Sequence, residues 1–356
     1  MTSVLIIRLS ALGDVAMTIP VIYSVARRHS NIHFTLLTRR RFAHMLINAP
    51  SNLTALGIEP DDYRGPLGLR RLFNNLRTMD FDAVADLHDV LRSKCLRLQF
   101  SMCKGVRVEH IHKGRWQKQQ RCRRIGRRHI ALPDTFSRYM DVFQRLGLDT
   151  DRCFNSVFET ITPNYADMPA HFKAKQAGQQ WIGIAPFAKF EGKIYPTERM
   201  EQVVAQLSHI DGTRLFLFGH GSNEQQVLDN WAMRYPHVTS CVEGLTAMQE
   251  FMLMSQLDVM VSMDSANMHM ASMVGTRVVS IWGATHPDVG FMGWKQDMAD
   301  AIQDDIDCRP CSVFGSKPCH RGDMACMNNI TPEQIVERVL HHPTHTPPHT
   351  PQAQNP

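Results

Sequence analysis

Val4-Leu5-Ile6-Ile7-Arg8-Leu9-Ser10-Ala11-Leu12-Gly13-Asp14 opens the chain and decides its class. The unbroken apolar run Val4–Ile7 reads as a strand covered on both faces, as in a parallel sheet. Ser10 to Asp14 then reads as a turn, and Val15 to Arg28 as a helix with Pro20 expected near its first turn. The same alternation continues outward. Strands are expected over residues 32–38 and 81–87, with helices over 67–79 and 136–146, the last ending at a Gly147 C-cap.

A second series follows. Strands are expected over 181–186, 215–218, 257–263 and 278–282, the last closing the series, with helices around 198–207 and over 266–273. Two sets of alternating strands and helices predict two doubly wound, Rossmann-like domains. Such domains bind ligands at the carboxyl ends of their strands, here in the cleft between them. The expected division is an N-terminal domain over 1–160, a linker over 161–180, a C-terminal domain over 181–340, and a disordered His/Pro/Thr-rich tail over 341–356.

With 356 residues, 43% hydrophobic and 21% charged, the composition is that of a soluble globular protein of two domains. No apolar run reaches the roughly 20 residues that cross a bilayer. Met1 to Arg8 lacks the charged flank and cleavage site of a signal peptide. The expected location is the cytoplasm, with room for peripheral contact with the inner membrane.

Four further stretches carry chemistry. Pro186 to Pro196 follows a strand, and its lysines Lys189 and Lys193 beside Gly192 suit a phosphate, although a solvated basic loop has the same composition. Phe218-Gly219-His220-Gly221-Ser222-Asn223-Glu224 reads as a strand ending in a glycine-rich turn, which suits either close approach of a nucleotide or an ordinary connection. Val261 to His269 leaves a strand and opens a helix whose free N–H groups suit a diphosphate. There Ser265 can donate a hydrogen bond and His269 lies about one turn further on, whereas Asp264 can serve as a plain N-cap. Asp14 is open to the same plain reading. Finally, Cys308, Cys311, Cys319 and Cys326 fall in one short loop and can hold a structural zinc tetrahedrally, with reduced or reversibly bridged thiols as the alternative.

The opening stretch resembles the start of the ADP-heptose–lipopolysaccharide heptosyltransferases of glycosyltransferase family 9, and the later motifs follow in that family's order. The resemblance implies a GT-B architecture, with an acceptor domain followed by a nucleotide-sugar donor domain. It implies an inverting transfer of heptose from ADP-heptose to the lipopolysaccharide inner core, with Asp14 as catalytic base. Lys193, Glu224, Asp264, Ser265, Ala266 and His269 would bind the donor, with Ala266 standing where the family usually has glycine. No cofactor or catalytic metal is expected.

Acceptor binding is expected of Arg8, Ser10, Lys113, Arg115 and Arg121. The last three belong to a basic run over 104–128 in which Glu109 is the only acid. Arginine suits the phosphates and acidic sugars of a lipopolysaccharide core, and basic residues also favour an anionic membrane face. A solvated face is the plain alternative. Trp116 is the only aromatic in that run, which is poor for stacking on bases, so nucleic acid is not an expected partner.

Other classes remain open at this point. A nicotinamide oxidoreductase would need the Gly-x-Gly-x-x-Gly fingerprint, and only Gly13 is present. A related transferase using another nucleotide sugar, or a silent sugar- or lipid-binding protein on the same fold, fits the motifs as well.

Overall fold

The computed structural model describes residues 1–123, 131–169, 172 and 175–341. The proposed tail beyond residue 341 and the arginines Arg124, Arg127 and Arg128 lie outside the described residues.

The N-terminal lobe has strands β1 (Ser3–Ile7), β2 (His33–Arg39), β3 (Leu53–Ile58), β4 (Ala83–Asp86) and β5 (Arg107–His110). They form one parallel sheet in the order β3-β2-β1-β4-β5. Its helices are α1 (Leu12–Arg28), α2 (Gly65–Arg77), α3 (Leu91–Ser101), α4 (Arg115–Arg121) and α5 (Thr135–Arg145). The C-terminal lobe has β6 (Gln180–Ala185), β7 (Thr213–Leu217), β8 (Val238–Ser240), β9 (Val259–Met263), β10 (Val278–Trp282) and β11 (Ala301–Gln303), in the parallel order β11-β10-β9-β6-β7-β8. Its helices are α6 (Thr197–Ser208), α7 (Ser222–Arg234), α8 (Ala247–Gln256), α9 (Ala266–Met273), α10 (Ala325–Asn328) and α11 (Pro332–Leu340).

Each sheet reverses its strand order once, between β1 and β4 in the first lobe and between β6 and β9 in the second. Loops leaving those paired strands part to opposite faces and open a crevice. The chain places its motifs there: Arg8–Asp14 leaves β1, His88 and Asp89 follow β4, the Lys193 loop leaves β6, and Asp264–His269 leaves β9.

Helix α1 is buried along its whole length from Val15 to Ala26. Such a helix is apolar all round and lies within a core. Here it sits between the first sheet and α9 of the second lobe, so one apolar cluster runs through both lobes. Tyr23 and Trp294 both pack edge-on against Phe154, at 5.7 and 6.4 Å, and the Trp294 indole donates to the Phe154 carbonyl at 2.9 Å. Val157 donates to the Met273 carbonyl at 2.9 Å, fastening the crossing segment to α9. Among the described residues of the stretch over 161–180 lie the short 3₁₀ turn Tyr165–Asp167 and the buried Met168 and Phe172.

Several sequence expectations are corrected. Helix α1 begins at Leu12, and Pro20 sits in its interior. The missing N–H there leaves the Ala16 carbonyl without its helical donor, a cost that a fully packed helix tolerates. Strand β10 does not close the second series, because β11 pairs beyond it. Strands β3, β5 and β8 were not expected, and neither were helices α3, α4, α7, α8, α10 and α11.

Candidate active site

Asp14 is the third residue of α1, and its carboxylate reaches back to accept the Ala11 N–H at 3.2 Å. Its other oxygen meets the Arg8 guanidinium at 2.8 Å. Arg8 is buried and also donates to the Leu87 carbonyl at 2.6 Å, which fixes the pair to the end of β4. Burial works to raise the Asp14 carboxyl, but Arg8, the Ala11 N–H and His269 outweigh it and hold it below its ordinary value. Asp14 is therefore ionised, aimed and still partly exposed, with 36% of its side chain open to solvent.

The second lobe meets it directly. A methyl group at Gly13 would lie 3.2 Å from the His269 ring and 3.3 Å from the Ala266 backbone. Glycine is what allows the first turns of α1 and α9 to touch, so two helix N-termini face one cleft. His269 is buried, its Nδ1 has no hydrogen-bond partner, and burial pushes it down to about 4 against the pull of Asp264 and Asp14. Its imidazole is therefore neutral at physiological pH.

Asp264 is not the N-cap of α9; Ser265 holds that place, with its hydroxyl 3.2 Å from that of Ser262. The Asp264 carboxylate instead receives Lys193 Nζ at 2.8 Å and the Thr285 hydroxyl at 2.8 Å. Lys193 also donates to the Asp264 carbonyl at 3.0 Å. The pair ties the β6 loop to the β9 loop across the crevice. Glu224 accepts the His220 N–H at 2.8 Å and so shapes the turn after β7.

These residues line an interlobe cleft of about 820 Å³: Asp14, Lys193, Glu224, Asp264, Ser265, Ala266 and His269 all border it. A second cavity of about 310 Å³ adjoins it on the N-terminal side, sharing Asp14, Phe291 and Phe314, and is lined by Arg8, Lys113, Arg115 and Lys118. Burial, with Arg8 and Arg115 nearby, pushes Lys113 down to about 8. Burial beside Arg138 takes Lys118 to about 7, and its ammonium lies 3.9 Å from the Phe291 ring centre. Asp14 thus stands where a nucleotide-sized cleft meets a basic pocket.

Two expected acceptor residues sit elsewhere. Arg121 does not line the basic pocket; it is buried and pairs with Asp288 of the other lobe at 3.1 Å. The reason is tertiary: α4 packs against the 286–291 turn, with Lys118 over the Phe291 ring and Arg121 on Asp288. Ser10 borders neither cavity and lies 3.4 Å from His88 Nε2. Lys118 belongs to the basic run that the sequence marks as a candidate acceptor patch, although it was not singled out there. Sequence reasoning missed His88, Thr285, Phe291 and Phe314. Of these only His88 had a signal, its place at the end of the strand beside β1. The four clustered cysteines line one small cavity, but among the described residues no three His, Cys, Asp or Glu side chains stand close enough to share an ion. Among the same residues no helix is long and apolar enough to cross a membrane.

The model of glycosyltransferase family 9 (heptosyltransferase) matches residues 69–317, well over half of the chain. Lipooligosaccharide heptosyltransferase 2 of Campylobacter jejuni is 22% identical over 192 residues, which cover 51% of this chain and 59% of that protein. The chain thus spans about three fifths of that relative's length. Lipopolysaccharide core heptosyltransferase OpsX of Haemophilus influenzae is 22% identical over 80% of each chain. Among solved structures, E. coli heptosyltransferase WaaC with ADP-2-deoxy-2-fluoro heptose superposes with a TM-score of 0.63 at 16% identity, covering 88% of this chain and 97% of that one. Its likeness shows the GT-B fold. The match across the second half of the first lobe and most of the second, on two parallel sheets that face one cleft, means that this chain belongs to glycosyltransferase family 9, the heptosyltransferases.

Proposed function

We propose that this chain transfers a heptose from ADP-heptose to an acidic acceptor of the lipopolysaccharide inner core by a single inverting displacement. The observation that carries the reading is the position of Asp14 between a cleft of about 820 Å³ and a basic pocket of about 310 Å³. The donor fills the first, with its diphosphate over the α9 N-terminus, Ser265 and Lys193. The acceptor fills the second, with its anionic groups on Lys113, Arg115 and Lys118. WaaC was solved with a fluorinated ADP-heptose, which supports this choice of donor.

In the reaction, Asp14 accepts the proton of the acceptor hydroxyl as that oxygen attacks the anomeric carbon. The glycosidic bond to the diphosphate breaks, and charge grows on the leaving ADP. Lys193 and the first N–H groups of α9 stabilise that charge, and His269 can donate a hydrogen bond beside them. A carboxylate held below its ordinary value is a weak base, so proton transfer to Asp14 comes late, once the attacking oxygen has become acidic. No metal is assigned to the leaving group, because Lys193 and the helix N-terminus supply positive potential there. Arg8 keeps Asp14 ionised and aimed.

Work beside a membrane belongs to the same proposal. Leu91 and Leu98 of α3, Met102 just after it and Trp116 of α4 are exposed on the N-terminal lobe, as are Lys94, Lys104 and Arg107. Apolar and basic residues together suit an anionic lipid face.

The test is direct. Purified protein is incubated with ADP-heptose and lipopolysaccharide lacking inner-core heptose, and the product is weighed by mass spectrometry. Gain of one heptose with release of ADP is expected. No transfer with ADP-heptose, but transfer with another nucleotide sugar, would overturn the donor assignment.

A further inference from the structure

We propose that Phe291 and Phe314 form an aromatic wall at the point of transfer, where Phe314 keeps water from the anomeric carbon and offers its ring face to the positive charge that grows there. The inference rests on the transferase reading above and says how the chain favours transfer over hydrolysis.

Asp14 alone does not make that choice. A carboxylate that accepts the proton of a sugar hydroxyl accepts one from water just as well. In the unwanted reaction a water oxygen bonds to the anomeric carbon. The bond from that carbon to the diphosphate oxygen breaks, its electron pair leaves with ADP, and the water proton passes to Asp14. The products are free heptose and ADP. Selectivity must come from the other groups that border the reacting atoms.

Among the described residues three border both the interlobe cleft and the basic pocket: Asp14, Phe291 and Phe314. The acid belongs to the N-terminal lobe, and the rings belong to the segments that follow β10 and β11 of the second lobe. An acceptor oxygen from the pocket and an anomeric carbon from the cleft meet at that shared boundary. The ring centres are 5.8 Å apart and the planes are tilted by 43°, so the two phenyl groups pack as a pair.

Each ring is fixed from a different side. Phe291 follows Gly290, whose carbonyl accepts the Thr135 N–H at 2.9 Å and the Thr135 hydroxyl at 2.7 Å. That residue lies at φ +90°, and a methyl group on it would stand 2.8 Å from the Pro133 carbonyl oxygen, so the turn is pressed onto the first lobe. The Phe314 N–H donates to the Ser312 hydroxyl at 3.3 Å. Behind the ring, a methyl group on Gly315 would lie 2.6 Å from Lys193 Cγ. Phe314 is therefore planted beside the lysine assigned to the diphosphate, one group away from the bond that breaks.

The two rings differ in what they can do. The Lys118 ammonium lies 3.9 Å from the centre of Phe291 and already uses its field. Phe314 is 56% exposed and lines both cavities, which leaves it open to a ligand. As the diphosphate departs, positive charge spreads over the anomeric carbon and the sugar ring oxygen. The negative face of an aromatic ring attracts such charge, most strongly where water is absent. The same ring offers water no hydrogen bond, so sugar and ring together close the junction against it.

The experiment follows ADP release and heptose transfer in one mixture of full chain, ADP-heptose and lipopolysaccharide lacking inner-core heptose. The unmodified chain is expected to release ADP and transfer heptose in equal amounts. Phe314→Ala should release ADP severalfold in excess of the heptose transferred. Its transfer rate should fall about tenfold to thirtyfold, the worth of a desolvated contact between cation and ring. Phe314→Leu keeps apolar bulk without the ring face, so it should stay coupled and be slower. Phe314→Tyr should restore both rate and coupling. The side chain is largely exposed, so the urea midpoint should not move. ADP affinity by calorimetry should stay within a factor of about two, because ADP carries no sugar. Full coupling in Phe314→Ala overturns the exclusion of water, and full rate in Phe314→Leu overturns the role of the ring face. Failure of the unmodified chain to release any ADP would instead sink the transferase reading, a result that stands apart because it precedes every substitution.

Discussion

The Asp14 carboxylate meets the Arg8 guanidinium at 2.8 Å, and the two residues leave the same strand, one at its end and the other on the helix that follows. The pairing explains how an acid at the cleft mouth stays ionised although burial opposes its charge. It also separates two tasks that a single carboxylate performs here. Toward its own lobe Asp14 satisfies Arg8 and the Ala11 N–H; toward the cleft it keeps exposed oxygen surface for an acceptor hydroxyl.

Asp14→Asn tests that second task. The amide keeps the size of the side chain and loses the charge. Turnover is expected to fall by about a hundredfold to ten-thousandfold, the usual worth of a positioned base. ADP affinity by calorimetry should stay within a factor of about two, because the diphosphate is assigned to the other lobe. Since the carboxyl lies below its ordinary 3.8, wild-type activity should show no loss from this group between pH 5 and 8. Full turnover in the variant would remove Asp14 as the base.

Lys193 and Asp264 form a pair with side chains only 15% and 5% exposed. Removing one member of a buried pair strands the other, at about 3 kcal/mol. Lys193→Met is therefore expected to lower unfolding stability by about that amount and to weaken ADP binding as well. The double change Lys193→Met with Asp264→Asn should recover part of the stability and none of the ADP affinity. Denaturant titration and calorimetry read the two separately. Recovery of both together would mean that Lys193 acts only through the fold.

Sequence alone exposed the parts of this design that are written locally. Strand β10 and helix α9 stand where the apolar run and the helix-opening motif put them, because the residues that each buries are consecutive in its own sequence. Strand β5, with the sequence Arg-Val-Glu-His, was invisible because an edge strand half open to solvent has no apolar run. Pro20 misled because α1 is enclosed on all sides and helix packing outweighs one lost hydrogen bond. The approach of Lys118 to Phe291 joins distant segments and had no local signal at all. Arg121 was read as a ligand group because charge is visible in sequence and its partner Asp288 is not.

At Gly13 the two lobes are in close contact at the site. Gly13→Ala would add a methyl 3.2 Å from the His269 ring and 3.3 Å from the Ala266 backbone. Backbone on one side cannot yield, so the lobes must separate slightly. Overpacking of this kind costs about 1–3 kcal/mol. Transfer is expected to fall more steeply than stability, since Asp14 moves away from the α9 N-terminus. A variant with native turnover would show that the contact between α1 and α9 is dispensable.

Glu250 offers a test by pH. It lines the interlobe cleft beside Cys241, Val242 and Leu245, and burial raises its carboxyl from 4.5 to about 7. The folded protein therefore keeps a proton that the unfolded chain gives up. Below pH 4.5 both states hold it, and the group adds nothing to the pH dependence. Between about 4.5 and about 7 the unfolded state ionises first, so this group makes stability decline as pH rises. Above about 7 both are ionised and the penalty is constant. Glu250→Gln removes the titration, so the difference in urea midpoint between variant and wild type should grow across that window and then level off. Parallel curves would mean that Glu250 is ionised in the folded protein and that the cleft around it is wetter than its lining implies.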